Sequence, residues 1–370
     1  MKRKHLRILV PALVLVLAAV VLFLQQLQKK EPVYFRTAAF GELSENLEGD
    51  PFTVYCWRGG DTYVPVFTEE RENFRPMSTA LTGHTLYYAL WSGEDERDSL
   101  VYRVDLETGE RELLAELDFQ VREMSANGRD LFLTVYRSEA GHRIGVLREG
   151  TFMDCGSVFW PYSTLACDDS GCWYVEYDRE IPSANLCYLP SDTLTPERVY
   201  GGVHFPVNFQ PAPEGVYYAY NDSENGSGRL VFYSRDGSGE RPLLTELVPD
   251  GPEVSEKKRV TFEPFIALWK DKLFYVTYTS YWPRREGDDQ GEYLHCLDMK
   301  TGRVTDFGRV NPNIGAGCVH FPYLISCGEQ GFLFTEANWF APDPETANRY
   351  YAYTWSGRRT ELRPADSAAK

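Results

Sequence analysis

Along most of this chain, apolar and polar positions alternate in short runs broken by Gly, Asp, Asn, Ser or Pro. Leu86-Tyr87-Tyr88-Ala89-Leu90, Leu131-Phe132-Leu133-Thr134-Val135 and Leu273-Phe274-Tyr275-Val276-Thr277 are typical. Runs rich in Tyr, Phe, Val and Thr and bounded by turn formers read as β-strands. After Lys30 no apolar segment of helical length keeps a 3.6-residue period. Residues 8–24 are the exception, an apolar run interrupted only by Pro11. At 1.5 Å per residue such a run extends about 26 Å, enough for a thin bilayer or for one helped by polar flanks.

The strands repeat as units. A bend carrying Pro or Glu opens each unit, and a strand, a tight turn and an aromatic second strand follow. The bends are Phe74-Arg75-Pro76-Met77, Val121-Arg122-Glu123-Met124, Phe159-Trp160-Pro161-Tyr162, His204-Phe205-Pro206-Val207, Phe262-Glu263-Pro264-Phe265 and His320-Phe321-Pro322-Tyr323. Each unit also holds an outer hairpin, as at Asp105-Leu106-Glu107-Thr108-Gly109 and Asp298-Met299-Lys300-Thr301-Gly302. Glycine after a short polar residue supplies the positive φ of a tight hairpin. Four strands at a spacing of roughly 40–60 residues make one propeller blade. A further outer hairpin, residues 52–67, precedes the first bend. The expected fold is therefore an all-β propeller of seven blades with an abbreviated first blade. The alternative is six blades with the extra hairpin packed on the ring.

The recurring "L-Y-Y … L-Y-x-x-D-x-x-T-G" texture over about residues 50–365 resembles bacterial propellers of the TolB-like and YWTD-like kind, including extracytoplasmic domains of unknown function. No unit carries the YWTD tetrapeptide; Tyr87-Tyr88-Ala89-Leu90 and Phe274-Tyr275-Val276-Thr277 stand in its place. The resemblance implies the fold and a binding or scaffold role, and it transfers no catalytic residue.

Lys2, Arg3, Lys4 and Arg7 precede the apolar run, and Lys29 and Lys30 close it. No small-x-small cleavage site and no cysteine follow it. The expected organisation is a cytoplasmic tip and signal-anchor helix in residues 1–30 and a linker with the first strand in 31–50. The propeller follows in 51–365 and a short tail in 366–370. The charge bias puts the N-terminus in the cytoplasm and the propeller outside a bacterial cell membrane. All 54 acids lie beyond Lys30, with 32 of the 38 Lys and Arg, so that part carries a net charge of −22. This charge disfavours nucleic acid and anionic lipid as partners.

The eight cysteines form no C-x-x-C pair. Export permits disulfides, and Cys167 with Cys172 and Cys318 with Cys327 are the local candidates. The polar residues at the recurring bends are the candidate ligand site, an axial mouth bearing Arg75, Arg122, Trp160, His204, Glu263 and His320. Such a set suits a small anion, a sugar or a peptide end. His204 and His320 with Glu263 fall short of a convincing metal site. Asp169-Ser170-Gly171-Cys172-Trp173 resembles the Asp-box turn of sialidases with one residue missing, and reads most simply as a hairpin turn. No G-x-S-x-G, P-loop, G-x-G-x-x-G or H-E-x-x-H occurs, so no cofactor and no catalytic residue is expected. The expected role is a membrane-tethered binding or scaffold module for an extracytoplasmic protein, peptide or glycan. The alternatives are a sensor ectodomain signalling through a partner, or a glycan lyase or hydrolase using the axial mouth.

Overall fold

The computed structural model describes residues 32–36, 52–69, 78–92, 98–159, 161–177, 183–222, 227–244, 258–281, 291–310, 323–328, 331–337 and 348–365. The apolar run 8–24, the tail 366–370 and the site candidates Arg75, Trp160 and His320 lie outside them, as does Cys318. The side chains of Glu263 and Cys327 lie outside the description as well.

The described residues form antiparallel strands and turns, without a helix. Six four-stranded meanders follow one another in residues 78–117, 120–157, 161–203, 206–244, 258–310 and 323–364, each starting at the ring's inside and ending at its rim. These are blades one to six. Neighbouring inner strands lie side by side from blade to blade.

Seven blades were expected and six are found. The described residues between 33 and 69 form three strands, β1 (Val33–Arg36), β2 (Phe52–Trp57) and β3 (Thr62–Glu69). They join blade six in one seven-stranded sheet, because β3 pairs in parallel with the outer strand Arg359–Pro364 at Thr62–Arg363 and Tyr63–Pro364. The three-stranded piece fills the space between blades six and one. Val33, Trp57 and Tyr63 pack on Leu333, Tyr350 and Leu362 of blade six. Tyr34, Val54 and Cys56 pack on Leu86, Tyr88 and Tyr102 of blade one. The outer-hairpin signal of residues 52–67 is real, but a hairpin pattern does not reveal whether an inner pair accompanies it.

Apolar side chains fill the other seams in the same way. Val101, Ala115 and Leu117 of blade one meet Val121, Leu131 and Leu133 of blade two. Trp173, Val175 and Leu186 of blade three meet Val216, Tyr218 and Val231 of blade four. Burial of about 25 cal/mol per Å² of apolar surface is the main force holding the wedges together.

The D-x-x-T-G hairpins show why the motif recurs. Asp105 Oδ1 accepts the backbone N–H groups of Glu107 (2.8 Å) and Thr108 (2.9 Å), and Gly109 turns the chain at φ 74°. Asp298 repeats this with Lys300 (3.1 Å) and Thr301 (2.9 Å) before Gly302 at φ 70°. These backbone donors hold both carboxyls below the usual carboxylate pKa.

Candidate binding face

The ring has two chemically different ends. At one end the outer strand of a blade crosses over to the inner strand of the next, as at residues 158–159 and 204–205. At the other end lie tight turns such as 106–110, 127–130, 149–150, 169–170 and 299–303.

The turn end is knitted across blades. Asp130, whose side chain is fully buried, takes a two-pronged ion pair from Arg148 (Nε 2.7 Å, NH2 2.9 Å). Arg148 also donates to the Ser191 carbonyl of blade three at 2.9 Å. Asn127 donates to the Asp168 carbonyl at 3.1 Å. Asp168 accepts from the Tyr188 hydroxyl (2.8 Å), the Trp173 indole (3.3 Å) and the Ser170 amide (2.9 Å). Arg235 of blade four donates to Ser170 Oγ at 2.7 Å. The segment resembling an Asp-box is thus part of a structural knot in which each of these polar groups has a partner.

The crossover end differs. Arg122 is the extra residue of a β-bulge, since Val121 pairs with Val135 and Glu123 with Thr134. A bulge re-aims the side chain it carries. The Arg122 guanidinium lies 5.3 Å from the Trp91 ring and 5.6 Å from the Tyr136 ring. Its Nε is buried without a hydrogen-bond partner, and no carboxylate pairs with it among the described residues. Trp91 is fixed by donating to the Val121 carbonyl at 3.2 Å, and Ser99 Oγ of blade one accepts the Val121 amide at 2.9 Å. The His142 ring sits 5.1 Å from that of Tyr136. Burial, and next the charge of Arg122, push the His142 pKa down, which favours the neutral imidazole. Tyr136 (37% exposed) and Phe159 (42% exposed) are large apolar side chains open to solvent at this end.

His204 is exposed and stacks flat on Tyr220, ring centroids 4.5 Å apart and planes at 3°. It does not share a rung with its sequence counterpart in blade two. Val121 stands opposite Val135 and Phe262 opposite Thr277, whereas in blade four the residue opposite Tyr220 is Pro206. Proline fits at a strand's first position, where its missing N–H costs nothing, so the bulges and not the prolines set the register. Glu263 falls within the bulge between Phe262 and Ile266 of blade five. Arg122 and His204 are therefore placed at the same end of the ring but at different heights. Trp91, Tyr136 and His142, which frame Arg122, were not singled out by the sequence. The available signal was an aromatic near the end of each second strand: Trp91, Tyr136, Tyr177 and Tyr220.

Cys167 stands opposite Cys172 across a two-residue turn, and both thiols are free. Burial, and then the contact with Cys167, push the Cys172 thiol pKa well up.

Among the described residues no helix is long and apolar enough to cross a membrane. No family model and no curated protein matches the chain. Solved structures do. The β-propeller domain of the trilobed protease from Pyrococcus furiosus, described as having an open velcro topology, aligns at 14% identity with a TM-score of 0.55 over 92% of this chain and 96% of that domain. Protein lmo1340 from Listeria monocytogenes aligns at 10% identity and a TM-score of 0.51, covering 79% and 83%. TolB from Acinetobacter baumannii aligns at 13% identity and a TM-score of 0.47, over 92% of this chain and 65% of TolB. At these identities the likeness is one of fold, and the two matches with TM-scores above 0.5 agree with the β-propeller expected from the sequence: the chain is a six-bladed β-propeller.

Proposed function

We propose that this propeller is a membrane-tethered binding module that presents its crossover end to a protein, peptide or glycan outside the membrane. The observation that carries the reading is the contrast between the two ends. At the turn end, Asp130, Arg148, Asn127, Asp168 and Arg235 are tied to neighbouring blades. At the crossover end, a half-buried guanidinium that has no carboxylate partner among the described residues stands beside the exposed ring of Tyr136, and Phe159 is exposed at the same end. Exposed aromatics around a cation are the composition of a recognition surface, not of a packing surface.

The position of β1 supports the tethered reading. Val33 pairs with Trp57, next to the turn 58–61, and the Tyr34 hydroxyl is 2.8 Å from His84 Nδ1 in the turn 83–84. The chain thus enters the ring at the turn end. A span in residues 8–24 would leave eight residues, 25–32, to reach Val33, at most about 29 Å of extended chain. The turn end would then face the bilayer and the crossover end would face away from it.

The test uses the full chain in cells, with a photo-crosslinking amino acid at Phe159 in one strain and at Glu107, in an exposed turn, in another. Adducts at Phe159 but not at Glu107, together with digestion of the propeller by protease added to spheroplasts, are expected. Adducts only at Glu107, or a propeller that resists the external protease while remaining digestible after lysis, would overturn the reading.

A further inference from the structure

We infer that the cluster formed by Arg122, Trp91, Tyr136 and His142 is a subsite for a sugar acid, a saccharide carrying one carboxylate on an otherwise uncharged, hydroxyl-rich body. This inference deepens the binding reading above and rests on it for the choice of face.

Among the described residues of blades one and two, Arg122 stands apart from the other arginines. Arg111 meets Glu69 at 2.9 Å, Arg143 meets Asp154 at 2.8 Å, Arg148 meets Asp130 at 2.7 Å, and Arg137 lies 3.8 Å from Asp154. Each of these charges is offset from within the protein. Arg122 instead has two aromatic rings beside it. Such contacts are weak at partly exposed sites and leave the positive charge in place. A planar guanidinium held in one orientation presents a fork that matches a carboxylate. The bulge at Arg122 and the fixed Trp91 indole supply that orientation.

The charge count selects the acid. His142, favoured in its neutral form, adds no second cation to the cluster. One positive charge matches one carboxylate better than a phosphate dianion. The propeller part of the chain carries −22, which repels a polyanion but tolerates a single acid group. The rings select the body of the ligand. Tyr136 is 37% exposed beside the cation, and Phe159 is exposed on the adjoining crossover. A pyranose offers a flat C–H face for such rings and hydroxyls for the polar groups between them. An extended peptide would instead draw its affinity from a free strand edge, but the bulge interrupts the backbone ladder at Arg122.

The test is calorimetric titration of the full-length protein in detergent with three probes. These are a glucose trisaccharide whose terminal unit is oxidised to the uronate, the same trisaccharide unoxidised, and an acidic hexapeptide. The oxidised trisaccharide is expected to bind at least tenfold more tightly than the neutral one. Arg122→Gln should remove that difference while leaving the thermal midpoint within about 2 °C, because no ion pair among the described residues is lost. Arg122→Lys should restore part of it, since lysine keeps the charge without the planar fork. Tyr136→Ala should weaken both sugars. Equal binding of the two sugars, or an Arg122→Gln variant that still prefers the acid, overturns the inference. If the hexapeptide binds through Arg122 and the sugars do not, the sugar-acid assignment falls while the ligand face stands. Failure of crosslinking at Phe159 counts against the face itself.

Discussion

Asn221 of blade four grips the backbone of Phe262 in blade five with both ends of its amide. Nδ2 donates to the Phe262 carbonyl at 3.0 Å, and the Phe262 amide donates to Oδ1 at 2.7 Å. The bulge that follows removes ladder pairing between Phe262 and Ile266, and this side chain substitutes for it across the seam. Asn221-Asp222-Ser223 also matches a glycosylation sequon, but the amide nitrogen that would carry the sugar is engaged here. Asn221→Ala leaves both backbone groups of a buried residue without partners, at about 1–3 kcal/mol each. Asn221→Asp keeps the acceptor and loses the donor, so its cost should be smaller. Urea unfolding of the three proteins measures the order, and an unchanged midpoint in Asn221→Ala would contradict it.

The Asp130–Arg148 pair should make stability depend on pH. Burial raises the Asp130 pKa, but the hydrogen bonds and charge of Arg148, aided by Ser191, outweigh it and hold the carboxyl below its usual value. A carboxyl depressed in the folded state contributes stability above its unfolded pKa, about 3.9, and loses it as pH falls through the folded value. Arg148→Ala leaves the buried carboxylate with only the largely exposed Arg129, 4.0 Å away, and should cost up to about 3–5 kcal/mol at pH 7. Near pH 3 the variant's Asp130 is protonated, so the gap from the parent should narrow. Denaturant titrations of both proteins at the two pH values read this directly. A gap that stays constant would show that Arg148 acts through packing instead.

The strands and hairpins were legible because their cause is local. Period-two patterning marks strands such as Thr85–Ser92, and an aspartate capping its own turn produces D-x-x-T-G at Asp105 and Asp298. The blade count was not legible. It depends on β3 pairing with Arg363 and Pro364, far away in sequence, and the local pattern of residues 52–67 carries no trace of that. Arg122 could be picked out as a polar residue at a recurring bend. Its frame could not, because Trp91 comes from blade one and Tyr136 and His142 from blade two. Only ring closure and a bulge bring them together. Aligning the bends on proline also placed His204 level with Val121, and the register of blade four moves it two residues away.

The cysteine pair offers a test of compartment. Cys167 and Cys172 are cross-strand neighbours with free thiols. In an oxidising compartment a disulfide catalyst can take two electrons and two protons from the pair and close the bond between the two sulfurs. The loop is short, so the chain-entropy gain is about 2 kcal/mol. Protein from the membrane fraction, alkylated without reduction, should leave both cysteines unmodified, with a mass two hydrogens below the fully reduced chain. Alkylation at both positions would place the propeller in a reducing environment, contrary to the proposed location.

Glu69, the last residue of β3, ties the three-stranded piece to blade one. Its carboxylate, 4% exposed as a residue, accepts the Tyr88 hydroxyl at 2.9 Å and pairs with Arg111 at 2.9 Å. Arg111 in turn lies 3.9 Å from the Tyr102 ring, so two strands of blade one meet this acid directly and a third packs on its partner Arg111. Burial, then the bond to Glu69, push the Tyr88 pKa far up, and its hydroxyl remains a donor. Glu69→Ala strands a fully buried hydroxyl and a guanidinium at once, and breaking a buried pair typically costs about 3–5 kcal/mol. Glu69→Gln keeps an acceptor for Tyr88 and loses the charge on Arg111, so it should cost less, about 1.5–3 kcal/mol. If residues 33–69 close the ring, Glu69→Ala should also let that piece open before the rest. Hydrogen exchange would then speed up first at Val54 and Cys56 and their neighbours on Leu86 and Tyr88, with blades three and four still protected. Uniform acceleration across all blades would mean that the piece opens only with global unfolding, and that the seam at Glu69 has no separate opening of its own.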